Sequence, residues 1–270
     1  MGVNDITLAG GMRSNLLNLQ MTAALQARTS ERLATGLRVN SPSDDAAAYF
    51  AAANERSRAS DLSARKDEMG EGIQTVSAAN EGITAITSLI EQAKGLVASA
   101  RSASTADRAT LATQYDALLT QIDNLANDSG YKGTNLLGGD TLTVSFNEDG
   151  SSNIAITGFD ASSTGLGVAA AAGNWAANAN LDTASTQLDT ALTTLRTNAK
   201  ALGSDNGVIV ARQDFTNGMV NTLTTGADNL TVADPNEEGA NMLALQTRQQ
   251  LGIAALGLSS QSQQAILKLF

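Results

Sequence analysis

Two pairs of adjacent acids, Asp44-Asp45 and Glu148-Asp149, are the groups in this sequence best suited to a divalent cation. Carboxylates are the oxygen ligands Ca²⁺ prefers, but neither pair sits in the ligand spacing of an EF-hand loop. There is no His and no Cys, which removes Cys/His zinc sites, thiolate nucleophiles and any Ser-His-Asp triad. No acid–base pair, metal set or nucleophile arrangement stands above background, so neither catalysis nor a cofactor or metal is expected. Ser and Thr crowd residues 141–165 and could carry O-linked sugars. Trp175, the single Trp, would be a lone aromatic platform for a sugar ring. The remaining candidates do the chemistry of association. Arg32, Asn40, Asp44 and Asp45 form a polar cluster that reads either as caps on a solvated turn or as a subunit contact. Leu267, Leu269 and Phe270 are large apolar side chains at the very end, where burial in an assembly is the favoured reading.

Charge supports that emphasis. Residues 1–40 carry four Arg against two acids, and residues 231–270 carry one Arg and one Lys against three acids. The stretch between holds eleven bases and twenty-two acids, closing on the net charge of −10. Near-neutral, Ala/Leu/Gln-rich ends around an acidic body read as two arms meant for burial against copies of themselves, with a solvated, mutually repelling middle. The negative charge argues against nucleic-acid binding. No basic start followed by an apolar run marks a signal peptide, and the apolar stretch 251–258 is far below the ~18 residues of a membrane span. These signals by themselves read as cytosolic, a reading that fails where export uses an uncleaved signal.

The elements that would position these groups are mostly helices. Only 3% of residues are aromatic, so long helices packed by Leu and Ala are expected rather than a core built on rings. Met12, Leu16, Leu19, Ala23, Leu33 and Leu37 give a helical stripe over 5–38, weakened near Gly36. Ser41-Pro42-Ser43-Asp44 reads as the next helix start, Ser41 capping and Pro42 in the first position. That helix runs to about Ser102, roughly 90 Å, with Gly70, Gly72, Gly82 and Gly95 marking close contact, bends or breaks. Ser104 caps another helix reaching Gly130. Alternation at Leu142/Val144/Phe146 and Ile154/Ile156 around Asn147–Ser151 predicts one β-hairpin. Residues 160–180 read as an irregular connection. Leu181, Leu188, Leu195, Leu202 and Ile209 then recur every seven residues, a coiled-coil core. Asp234-Pro235 starts a last helix carrying Met242, Leu245, Leu256 and Ile266. The expected fold is mainly α: long antiparallel helices in a coiled-coil-like rod, one hairpin, and terminal arms packed together. Its parts are an N-terminal arm 1–40, outgoing helices 41–140, hairpin and connection 141–180, returning helix 181–230 and C-terminal arm 231–270.

Three segments carry a resemblance. Ser30–Ser41 (Ser-Glu-Arg-Leu-Ala-Thr-Gly-Leu-Arg-Val-Asn-Ser) is followed by Asp44-Asp45-Ala46-Ala47. Asp123-Asn124-Leu125-Ala126, Tyr131-Lys132-Gly133 and Asn135-Leu136-Leu137 come next. Asn241-Met242-Leu243, Gln249-Gln250-Leu251-Gly252, Ala255-Leu256 and Ala265–Phe270 close the chain. In this order and at these distances from the ends they resemble bacterial flagellin, over roughly 10–140 and 181–270. The resemblance implies a short form without outer domains that polymerises into the flagellar filament for swimming, extracellular and exported without a cleaved signal peptide. It implies subunit contacts at Met12, Leu16, Leu19, Arg32, Leu33, Gly36, Leu37, Asn40, Asp44, Asp45, Met242, Leu245, Gln249, Leu256, Ile266, Leu267, Leu269 and Phe270. The implied partners are further copies of the chain, the flagellar export apparatus and its chaperone, and the cap and hook-junction proteins, with no nucleic acid and no membrane insertion. Arms that order only on assembly would block premature polymerisation. The alternatives are a hook–filament junction protein, which shares the arms, and a surface-binding protein on the same fold.

Overall fold

The computed structural model describes residues 10–267. Five helices dominate: α1 Gly10–Thr35, α2 Ala46–Ser102, α3 Thr105–Asp128, α4 Asn178–Thr231 and α5 Pro235–Leu267. The two strands, β1 Thr141–Ser145 and β2 Asn153–Thr157, pair antiparallel with Leu142 opposite Ile156 and Val144 opposite Ile154. The mainly α expectation and its single hairpin stand. Two compact units divide the chain, Met1–Ser57 with Leu223–Phe270, and Arg58–Thr222.

Within the second unit, α2 and α4 run antiparallel. Lys94 pairs with Asp189 and Arg101 with Asp182, so a step of seven on one helix is matched by seven in reverse on the other. Leu181, Leu188, Leu195, Leu202 and Ile209 are all buried. The facing series is as regular: Leu62, Met69, Val76, Ile83, Ile90 and Val97 recur every seven residues on α2, with Ala79, Ile86 and Ala93 between them and Ala100 after, all buried. Small and β-branched residues hide that repeat from a search for Leu. Thr216, 2% exposed, continues the α4 series after Ile209.

Neither long helix breaks at its glycines. Two of the four on α2 are places of close approach. A Cβ on Gly72 would lie 2.8 Å from Val144 Cγ2, and one on Gly82 would lie 2.6 Å from Leu137 Cδ1 and 2.8 Å from Ser129 Cβ. The tight neighbours are the hairpin, the C-cap of α3 and the segment leading to the hairpin; α4 comes near only through Ile209, 3.8 Å from a Cβ on Gly72. Gly95 faces open space.

Local starts follow capping chemistry, with one correction. Ser104 accepts from Asp107 N as α3 begins, and Asp234 accepts from Asn236 N as α5 begins. Ser41 does not cap α2. Residues 41–44 form a turn, with Asp44 N donating to Ser41 O at 3.0 Å, and α2 starts at Ala46 with Asp45 accepting from Ala48 N at 3.0 Å. The Ser41 hydroxyl is spent within the turn, donating to Asp44 Oδ2 at 3.1 Å. The first helix ends at Thr35, short of the expected 38, because Gly36 turns left-handed (φ +70°) while its N–H still reaches Arg32 O.

The 160–180 connection is more ordered than its composition promised. Ser163 N and Ala171 N donate to Asp123 and Asp116 of α3. Trp175 is fully buried, its ring 4.9 Å from that of Tyr115. Burial, then the charge of Asp116, push the Tyr115 phenol up to about 12. Gly173, Asn174 and Trp175 all take positive φ in the turn Ala172–Trp175. Glycine and asparagine accept this conformation readily; for Trp it costs about 1–3 kcal/mol and is held by the packing around the ring.

Candidate association surface

In the first unit α1 and α5 lie antiparallel. Arg32 Nη1 donates to Glu238 Oε1 at 2.8 Å, and Leu19 packs on Gly252, where a Cβ would come within 2.7 Å of Leu19 Cδ2. The positions of α1 withdrawn from solvent are Met12, Asn15, Leu19, Thr22, Gln26, Thr29 and Arg32, a 3–4 spacing. On α5 they include Glu238, Met242, Leu245, Gln249, Gly252 and Leu256. Met12, Leu19, Arg32, Met242, Leu245, Gln249 and Leu256, all read from sequence as contacts between subunits, thus fall on the side each arm turns inward within one chain.

The other candidates sit differently. Leu16 and Leu33 are exposed. Gly36 is the helix cap described above. Leu37 bridges Val232, and Arg38 N donates to Thr231 O, tying the ends of α1 and α4. Asn40 N, Ser41 N and Ser41 Oγ all donate to Asp44 Oδ2. Those donors, Ser41's first, with Arg28 nearby, hold the Asp44 carboxyl below the ordinary range. Asp44 and Asp45 are therefore occupied as turn and cap. Glu148 is paired with Arg58, and Asp149 accepts from Ser151 N and Oγ. Among the described residues no three His, Cys, Asp or Glu side chains group closely enough to hold a metal ion. The helix α5 includes Ile266 and Leu267, but their side chains lie outside the described residues, as do Leu269 and Phe270.

A second apolar stripe on each arm escaped the sequence reading. Leu17, Met21 and Leu25 of α1 are 60%, 65% and 46% exposed. At about 100° per residue they centre roughly 130° from the inward face. On α5, Leu243, Leu251 and Leu258 are exposed and lie nearly opposite Met242, Leu245 and Gln249. Ile253 adds a further exposed side chain. The doubled Leu16-Leu17 was the available signal: one of the pair must leave any single stripe. An open groove of about 340 Å³ runs between the helices, lined in part by Leu19, Met21, Leu25, Arg248 and Gly252. Contiguous exposed stripes of this kind mark an interaction surface.

Family comparison decides what kind. Residues 4–141 match the bacterial flagellin N-terminal helical region, and residues 185–270 match the bacterial flagellin C-terminal helical region. The chain belongs to the bacterial flagellin family. It is 32% identical to flagellin FljM and 31% identical to flagellin FljO of Caulobacter vibrioides, each alignment covering 100% of both chains. It is 31% identical to the flagellin of Brucella melitensis, over 96% of this chain and 99% of that one. Between the two matched regions lie only residues 142–184, the hairpin and the turn, so this flagellin is a short form without outer domains. It is a structural subunit of the flagellar filament, an extracellular assembly serving motility. These matches do not favour the junction or surface-binding readings, and the buried Trp175 offers no platform for a sugar. No helix among the described residues is long and apolar enough to cross a membrane.

Proposed function

We propose that this flagellin polymerises by burying the outward stripes of both arms against neighbouring copies, while the inward stripes hold the two arms of one chain together. The exposure of Leu17, Met21, Leu25, Leu243, Leu251 and Leu258 supports this. Fully burying one such side chain is worth roughly 1.5–3 kcal/mol. Six that are already about half buried would yield on the order of 5–10 kcal/mol, similar to the 4–15 kcal/mol that association costs. A single neighbour is then barely enough, and a lattice of several neighbours is strongly favoured. The stripes on α1 and α5 are different surfaces, so contacts between them are head-to-tail and generate an open helix. The polar turn at Asn40, Asp44 and Asp45 would set how the arms leave the rest of the chain rather than form the apolar contact itself. By family, the chain would meet the export apparatus with its chaperone, leave the cell without a cleaved signal peptide, and join a filament bounded by hook-junction and cap proteins. The family is structural, and the function proposed is assembly without catalysis.

The test is seeded elongation viewed by negative-stain electron microscopy. The pairs Leu17→Gln/Leu25→Gln and Leu251→Gln/Leu258→Gln should each abolish elongation while the thermal unfolding of the free chain stays unchanged. Filaments of normal length from both variants would overturn this assignment of the contact faces.

A further inference from the structure

Met21 stands at the middle of the outward α1 stripe, one turn from Leu17 and one from Leu25, and is 65% exposed. The chain has no Cys, which leaves methionine thioethers as its readily oxidised sulfur. Of the five methionines among the described residues, Met69 is fully buried and Met12, Met219 and Met242 are half-buried; Met21 alone is exposed.

We propose that Met21 is a reversible oxidation site at which hydroperoxides hold the free subunit out of the polymer. The sulfur lone pair attacks one oxygen of hydrogen peroxide, the O–O bond breaks, and a proton shift releases water. The sulfur loses two electrons and becomes a sulfoxide; the peroxide is reduced by the same two. A dithiol reductase of the methionine sulfoxide class reverses the step, giving thioether, disulfide and water. The product is a polar, strong acceptor placed between two leucines, where packing against a neighbouring copy supplies apolar surface. Arg248, lining the same groove, offers the new oxygen a guanidinium donor within its own chain, favouring a side chain turned inward. Once packed in the polymer the thioether is shielded, so the reaction selects among free chains only. This inference rests on the α1 stripe being a contact between copies.

The experiment uses the full wild-type chain, partly oxidised with hydrogen peroxide and then elongated on untreated seeds. Pelleted filaments and remaining monomer are compared by peptide mass spectrometry. Met21 sulfoxide should be depleted in the filaments roughly tenfold, the worth of partly burying one apolar side chain, while sulfoxide at Met219 distributes evenly. Treatment with methionine sulfoxide reductases should return the excluded chains to the filaments. A variant with Met12, Met219 and Met242 changed to Leu should keep the same peroxide sensitivity, measured against its own untreated rate. Equal Met21 sulfoxide in both fractions would overturn the proposal. If the Leu17→Gln/Leu25→Gln chain also elongates normally, the stripe reading itself fails; if that chain is dead and sulfoxide still enters filaments, only the oxidation step fails.

Discussion

Gly82 and Gly95 lie on the same helix and should respond to the same substitution with opposite sign. Alanine in a helix interior gains up to about 1 kcal/mol over glycine. At Gly95 a Cβ meets nothing within 4 Å, so Gly95→Ala should stabilise by about that amount. At Gly82 the added carbon would stand 2.6 Å from Leu137 Cδ1 and 2.8 Å from Ser129 Cβ. Leu137 is fully buried, and Ser129 Oγ is engaged with Leu125 O at 2.6 Å, so neither gives way cheaply. Overpacking of this kind costs about 1–3 kcal/mol. Set against the propensity gain, Gly82→Ala should lose about 1 kcal/mol net. The two variants then differ by about 2 kcal/mol, a separation of roughly 4–8 °C in melting temperature for a protein of this size. Thermal unfolding of the free chain, followed by circular dichroism at a concentration too low for polymerisation, reads this directly. Two variants that both melt above wild type would refute the claim that α2 needs glycine where the segment after α3 crosses it.

Three further outcomes follow from the same geometry. Glu71 accepts from Lys132 and from the Tyr131 hydroxyl, both at 2.9 Å; Lys132 first and then Tyr131 hold the Glu71 carboxyl down, while Glu71 raises both partners. Glu71's contribution is present above the ordinary carboxylate pKa and lost as pH falls through the lowered one. The partners' contributions are present below their ordinary values and lost as pH rises through the raised ones, so the tie holds across the neutral range and opens at both extremes. Glu71→Gln should bring the Tyr131 ionisation, followed by phenolate absorbance in a Tyr49→Phe/Tyr115→Phe background, back toward 10; an unmoved titration would show the contact absent in solution. Trp175 is fully buried with no partner for its indole N–H, so Trp175→Phe should cost under about 1 kcal/mol while Trp175→Ala costs about 3–5 kcal/mol in thermal unfolding. Arg32→Ala strands the Glu238 carboxylate, whose side chain is 7% exposed against 29% for Arg32. It should cost about 2 kcal/mol, between the surface and buried cases, read as faster amide exchange along α1 and α5, with Glu238→Gln milder.

What the sequence alone determined is what local physics determines. Ser104 and Asp234-Pro235 start helices because a cap needs only donors two or three residues away. Leu181 to Ile209 announced a packed helix because large aliphatic side chains at period seven stack on one face of a helix. The turn at 147–151 closes inside its own five residues, Gly150 N donating to Asn147 O and Asn147 Nδ2 to Ser151 Oγ. Ser41 was misread for the same reason: two good acceptors, Ser41 and Asp45, stand four residues apart, and only the path of the chain chose the second. Tertiary structure decided matters that join distant residues. Arg32 meets Glu238 across 206 positions. Gly72 and Gly82 are required by Val144, Leu137 and Ser129, none of them on their helix. Above all, α1 turns Asn15, Thr22, Gln26 and Thr29 inward beside Met12 and Leu19 while Leu17, Met21 and Leu25 stay exposed, an order that apolar periodicity cannot supply. Leu19 is drawn in because α5 offers Gly252 opposite it, while Met21, on the edge of the same groove beside Arg248, stays 65% exposed, a choice made by the shape of the partner helix.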